Sequence, residues 1–216
     1  MGEEAASALE FTLVFPLFLM IILIIWQLLL LVNASQVVSY AAFSAVRSAI
    51  VVIPMQLGSE GPNQFIGDGN SQKKATIQQA AAIACTPISP PISEWAKSYG
   101  FLSGVGSLTG GLGGLGDIAS LSVLVGSAGL NAPRALQKAS YAGQFTNVEV
   151  IGSTEQGSFL ENAPITVKVE HKFFLNVPYA NRLFSDSLFA GLGLGGYQRT
   201  LTAQYTLVNE GQKEVL

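Results

Sequence analysis

The feature that most constrains this chain is an uninterrupted apolar run close to its amino terminus. Residues 11–32 carry no charge, and only Thr12 and Gln27 among them are clearly polar. As an α-helix the run would be roughly 33 Å long, which matches a hydrocarbon core of about 30 Å. A single span must pair its backbone groups internally, so a helix is the form that it takes in lipid. The run therefore predicts a transmembrane helix at 11–32.

A cleaved secretory signal is the alternative interpretation of the same run. Signal cores are usually about 7–15 apolar residues long and follow a basic segment. This run is longer, and the residues before it hold Glu3, Glu4 and Glu10 but no Lys or Arg. The sequence at 32–35, Val-Asn-Ala-Ser, is also a poor cleavage site. These features favour a retained membrane anchor.

The helical pattern continues past the apolar run. Residues 33–53 contain no Gly or Pro, and Pro54 disfavours the helical region for the residue before it. One helix from about Ala5 to Ile53 would be roughly 73 Å long, which exceeds any bilayer. Its second half must therefore pack on a domain or on other helices. Two helices with a break near Asn33 are the alternative.

A ridge of small side chains follows in this second half. Ala41, Ala45 and Ala49 repeat at a spacing of four, so they share one face of the helix. Such ridges let a neighbouring helix approach closely. We therefore expect these three alanines to lie at a contact between helices.

Composition narrows the class of protein. Of 216 residues, 49% are hydrophobic and 12% are charged, which is not the pattern of a disordered chain. The formal net charge of -3 and the lack of a basic block argue against a nucleic-acid surface. A single Cys excludes an internal disulfide and a Cys-rich zinc site.

The remaining sequence predicts a small α+β domain. Ser71 can cap a helix that runs to about Cys85, and Asn131 and Pro133 begin another that Gly143 closes. Period-two alternation at 165–173 and 200–207, with a third strand near 148–150, predicts an antiparallel sheet with one packed face. The second half of the long helix would cover that face.

The expected organisation follows from these elements. It comprises a short cytoplasmic or leader segment at 1–10, a transmembrane helix at 11–32, its continuation at 33–53, and an extracytoplasmic α+β domain at 54–216 with a flexible Gly-rich loop at 100–130.

Candidate chemistry is sparse. His171 is the only histidine and falls on the apolar face of a predicted strand, where a packed or hydrogen-bonded role is favoured. Cys85 lies in an Ala-rich helix, which favours a small buried side chain. The glycines at 110–113 lack the Gly-Lys-Ser/Thr ending of a phosphate-binding loop. The sequence predicts no catalytic residue, cofactor, metal or small-molecule substrate.

A family resemblance enters at the amino terminus. In residues 5–16 small side chains are followed by Glu10 and Phe11, and then by an apolar run with an early proline, Pro16. This pattern, together with the Ala-rich segments at 40–49 and 80–87, resembles the TadE-like pseudopilins and minor pilins of the tight-adherence (Tad) type IV pilus system.

The resemblance implies a single-pass protein of the bacterial inner membrane. Its amino terminus would lie in the cytoplasm and its domain in the periplasm, and the chain would enter a surface pilus. The basic residues, the first of which is Arg47, all follow the span; read literally they would place the amino terminus outside. That charge signal is weak because long domains cross a membrane largely regardless of charge.

The resemblance also implies specific residues and partners. Processing by a prepilin peptidase would cut between Ala5 and Ala6. Glu10, Phe11 and Pro16 would take part in pairing with other pilins and with the assembly machinery. A carboxylate at the edge of an apolar helix is costly to bury unpaired, and a neighbouring subunit's α-amino group would neutralise it. Alternatively, Glu10 lies in cytosolic water just before the span.

Three functions follow in order of support. The first is a non-enzymatic pilus assembly or structural protein that acts by lateral packing of its helix. The second is a signal-anchored periplasmic binding domain unrelated to pili. An anchored enzyme is the weakest, because no catalytic motif is present in the sequence.

Overall fold

The computed structural model describes residues 3–58, 60–65, 71–91, 134–152, 159, 163–186 and 197–209. In chain order the helices and strands are α1 (Glu3–Val52), α2 (Gln72–Cys85) with a 3-10 turn at Thr86–Ile88, α3 (Arg134–Phe145), β1 (Thr146–Ile151), β2 (Pro164–Phe174), α4 (Ala180–Phe184) and β3 (Gln198–Val208). The predicted Gly-rich loop at 100–130 lies outside the described residues.

The long helix forms without interruption. α1 is a single helix of 50 residues, as predicted, and the alternative of a break near Asn33 is wrong. Pro16 lies inside it, although its ring nitrogen cannot donate a helical hydrogen bond. The helix ends one residue before the predicted end, and Pro54 follows directly after Ile53. At about 1.5 Å per residue α1 is roughly 75 Å long.

The three predicted strands form the predicted antiparallel sheet, in the order β1-β2-β3. β2 is central: its Val169 lies opposite Val148 of β1, and its Val167 lies opposite Tyr205 of β3. The inward-facing side chains Ile165, Val167 and Val169 are fully buried. The alternation in the sequence thus gives a sheet with one packed face, and the α+β class is confirmed.

The second half of α1 and the helix α2 cover that face. Residues from Val38 to Ala49 of α1, and Ile53 just after it, join one hydrophobic cluster with Ile77 and Ala81 of α2 and with Val167 of β2. The hydroxyl of Ser44 also donates to the backbone carbonyl of Ala80 at 3.3 Å. The core therefore lies between one end of the long helix, a second helix and the sheet.

The short helices differ in how well the sequence predicted them. Ser71 caps α2 as expected, because its Oγ accepts from the backbone N–H of Lys74 at 3.1 Å. α3, however, does not close at Gly143 and continues to Phe145. The ring of Tyr141 packs 4.4 Å from that of Phe145, which supports this last turn. Strand β1 then begins at the next residue.

Candidate functional site

The first half of α1 stands free of the folded domain. Every described side chain from Glu10 to Trp26 is exposed or only half-buried, and most are large and apolar. In the most apolar 18-residue window of this helix, 6% of the residues are buried. Such a surface is costly in water, and by length and composition the helix can cross a membrane. The exposed half of α1 is therefore the candidate interface of this chain.

Three of the sequence-predicted site residues lie on this interface. The side chain of Glu10 is exposed, the Phe11 ring stacks on that of Phe15 with centroids 5.5 Å apart, and Pro16 follows one residue later. They share one exposed stretch of α1 that contributes nothing to the domain's hydrophobic clusters. For Ala5 and Ala6 the structure describes only the helical backbone.

The small-residue ridge lies at the opposite end of α1. Ala41, Ala45 and Ala49 are fully buried and pack in the cluster that includes Ile77 and Ala81 of α2. They thus lie at a close helix contact within the chain. Contacts with a second subunit must use other residues of α1, since these three have no exposed surface in this fold.

A junction between the two halves forms at Gln27. This side chain is fully buried although it belongs to the apolar run, and its Oε1 accepts from the backbone N–H of Val177 at 3.3 Å. Its Nε2 is buried with no hydrogen-bond partner in the described part of the chain. Sequence reasoning placed Gln27 in lipid; the only signal of another role was its polarity. The domain therefore contacts α1 before Val32, the predicted end of the span.

A buried ammonium ties the end of α1 to the start of α2. Lys73 is fully buried, and its Nζ donates to the backbone carbonyls of Ile53, Gly61 and Gln64 at 2.7, 2.8 and 2.8 Å. Burial lowers the pKa of Lys73, and the nearby carboxylate of Glu60 partly opposes this shift. The first carbonyl lies just past the carboxyl end of α1, where a helix favours a cation. Sequence reasoning missed this residue.

The histidine and the cysteine meet inside the domain. His171 Nδ1 lies 2.9 Å from Thr146 Oγ1, and the same hydroxyl hydrogen-bonds the thiol of Cys85. Burial lowers the pKa of His171 to about 4 and raises the pKa of Cys85 to about 11. Both groups are therefore neutral at pH 7, and the cysteine is not a thiolate nucleophile. The packed roles that we expected for both residues are confirmed.

Among the residues that the structure describes, no group of three or more His, Cys, Asp or Glu side chains could hold a metal ion. The fold presents an apolar surface instead of a reactive site. This surface is the exposed half of α1, which projects from a domain packed around the other half of the same helix.

Comparison with known proteins points to the same helix. Residues 5–47, all within α1, match the family model of TadE-like protein. The match includes the exposed half of the helix and most of its packed half, and it confirms the resemblance noted at residues 5–16. The match supports the assignment of this chain as a protein associated with Tad pili. The TadE-like family is structural rather than enzymatic. No curated protein and no solved structure matches the chain significantly.

Proposed function

We propose that this chain, with its TadE-like segment at residues 5–47, is a minor pilin or pseudopilin that helps to build a Tad pilus. It acts without catalysis, by packing the exposed half of α1 alongside the helices of other subunits. The observation that carries the proposal is the coincidence of the family match with a helix whose first half lies outside the folded core.

In this proposal the exposed half of α1 contacts lipid before assembly and other protein helices afterwards. Before assembly the exposed half of α1 crosses the inner membrane, with the amino terminus in the cytoplasm and the domain in the periplasm. Lipid tails are as apolar as Leu or Phe, so association between helices depends on close packing rather than on a hydrophobic force. After extraction, neighbouring helices would replace the lipid around the large side chains from Phe11 to Trp26.

Glu10 sets the axial position in this proposal. Its carboxylate comes directly before the apolar run, and burying it unpaired among packed helices would be costly. Cleavage between Ala5 and Ala6 by a prepilin peptidase would create a new α-amino group on a neighbouring subunit. Pairing of that cation with Glu10 would fix the register of the two helices.

Substitution of Glu10 tests the pairing. We expect Glu10→Ala to enter the membrane normally but to co-purify poorly with its pilus partners. Glu149→Ala is the matched control, because this carboxylate is 62% exposed and belongs to strand β1 of the domain rather than to α1. Normal co-purification of the Glu10 variant would contradict the pairing.

Two further measurements test the assignment itself. Amino-terminal sequencing of the mature chain should begin at Ala6, whereas a terminus at Met1 would exclude processing at that bond. Sheared surface pili should contain the chain if it enters the fibre. Absence from the pili together with loss of piliation on deletion would restrict its role to the assembly platform.

A further inference from the structure

We propose that residues 176–184, which we name the foot, lie in the headgroup layer of the bilayer, so that the domain rests on the membrane and the span of α1 ends near Trp26. The foot comprises the loop after β2 and the helix α4. The inference rests on the proposed membrane anchor and adds a lipid-binding surface on the domain to it.

The foot is fixed to α1 at a definite height. Val177 donates its backbone N–H to the side chain of Gln27, and both residues are buried. Gln27 lies five residues before Val32, or about 8 Å along the helix. If the whole run 11–32 were in hydrocarbon, the foot would be immersed at that depth together with the exposed side chain of Asn176. A span that ends near Trp26 avoids this cost.

The side chains that the foot exposes suit a lipid interface. Tyr179 is 75% exposed and Leu183 is 66% exposed, and on α1 the neighbouring Trp26 is 60% exposed. Trp and Tyr are enriched where the hydrocarbon meets the headgroups. Arg182 is also exposed, and its Nε donates a hydrogen bond to the hydroxyl of Tyr197 at 3.0 Å. A guanidinium at this level can bind a lipid phosphate.

The backbone at Tyr179 adds an independent argument. Its φ of 64° and ψ of -48° fall in a region that residues with a side chain rarely adopt. Ala180 donates its N–H to the carbonyl of Pro178 at 2.8 Å, which closes a tight γ-turn around the tyrosine. Such a conformation is strained for a residue with a side chain, and glycine would adopt it more easily. The turn nevertheless presents a tyrosine ring to the surroundings.

A cavity beside the foot completes the surface. It has a volume of about 360 Å³ and lies between α1 and the foot, where Leu23, Trp26 and Leu30 face Val177 and Pro178. Its lining is mostly apolar, and it opens at the level where the exposed half of α1 meets the domain. An acyl chain of the adjoining leaflet is the occupant that this position favours.

A span that ends near Trp26 also places Glu10 deeper in the membrane than a span over residues 11–32 would. Counting back from Trp26, Glu10 is sixteen residues away, or about 24 Å along the helix. A hydrocarbon core of about 30 Å would then extend past it. The carboxylate would lie about 6 Å inside the cytoplasmic edge of the core rather than in cytosolic water, which increases the cost of leaving it unpaired.

Tryptophan fluorescence in vesicles tests the depth of the foot. The sequence has two tryptophans, Trp26 and Trp95, and both are replaced by Phe to give a silent full-length chain. Single reporters are then introduced as Tyr179→Trp and Leu183→Trp in the foot, Phe18→Trp in the span and Ile83→Trp on α2. The chain is reconstituted in phosphatidylcholine vesicles that carry bromine either near the headgroup or near the end of the acyl chain.

The pattern of fluorescence loss decides the proposal. We expect the two foot reporters to be quenched most by shallow bromine, Phe18→Trp to be quenched most by deep bromine, and Ile83→Trp, at a position 62% exposed on the domain, to be quenched by neither. Using both foot positions guards against a local disturbance of the turn at Tyr179.

The two proposals fail in different ways. An unquenched Phe18→Trp would overturn the membrane anchor. Quenching at Phe18→Trp with foot reporters that behave like Ile83→Trp would overturn the foot alone. Foot reporters with blue-shifted emission that neither bromolipid quenches would show that another protein subunit covers this surface. That result would also overturn the lipid assignment.

Discussion

The Nζ of Lys73 lies 2.7 Å from the carbonyl oxygen of Ile53, one residue past the end of α1. The same ammonium also binds two carbonyls of the loop that follows, at Gly61 and Gln64. One side chain near the start of α2 therefore holds the end of the long helix and the connection between the two helices.

Removing this ammonium should destabilise the domain. Lys73→Met would leave three carbonyls without their charged donor and the buried Glu60 carboxylate without its nearby cation. We expect a loss of about 3 kcal/mol in the free energy of unfolding. Chemical denaturation of the detergent-solubilised chain measures it. Lys172→Met, at an exposed position on β2, should change the stability little, and equal effects of the two substitutions would contradict the role of Lys73.

Enlarging the small-residue ridge should separate α1 from α2. Ala45 is fully buried in the cluster that joins these helices, so Ala45→Leu has no space for its added atoms. We expect destabilisation of about 1–3 kcal/mol. Thermal unfolding followed by near-UV circular dichroism reports it. Ser39→Leu on the exposed side of the same helix is the control, and an unchanged midpoint for the Ala45 variant would disprove the tight packing.

The stability of the domain should fall in mild acid because of His171. Its pKa is lowered to about 4 by burial, below the ordinary value of 6.5, so the unfolded chain binds the proton first as pH falls. This contribution is complete above pH 6.5 and is lost progressively down to pH 4. The loss of stability amounts to roughly 2 kcal/mol at pH 5, relative to the stability above pH 6.5.

A non-titrating variant isolates this effect from other groups. His171→Leu should unfold with a weaker dependence on pH between 8 and 5 than the parent chain, whatever its stability at pH 8. Denaturation curves at several pH values provide the comparison. Parallel curves for the two proteins would mean that the imidazole does not titrate differently on folding.

The thiol of Cys85 should be inert until the domain unfolds. It is fully buried, and burial raises its pKa to about 11, so little thiolate forms at pH 8. A maleimide should therefore label the native chain slowly and the denatured chain at once. Ile83→Cys in a Cys85→Ala background lies exposed on the same helix and should react rapidly in the native state. Rapid native labelling of Cys85 would contradict its burial.

Much of this fold could be predicted because local patterns and tertiary structure agree. The unbroken run from residue 3 to Val52 lacks glycine, and the two alternating segments became β2 and β3 at nearly the expected bounds. Ser71 caps α2 because a short hydroxyl side chain precedes an Ala-rich segment. In each case neighbouring residues alone contain the signal.

The missed contacts depend on partners far along the chain. Gln27 appeared to be an isolated polar residue in a lipid run, because its partner Val177 follows 150 residues later. Lys73 stands beside Lys74 near a helix start, a pattern typical of a solvated surface, and its three acceptors belong to an irregular loop. No periodicity predicts either pairing.

The continuity of α1 has a mechanical consequence. A helix that passes from its exposed half into the hydrophobic core without a glycine or a break offers no hinge between that half and the domain. Force applied to the domain would therefore be transmitted directly to the exposed half of α1, and the domain and the helix would translate and rotate together. Withdrawal of such a subunit from a bilayer would move the domain and the packed half of α1 as one body.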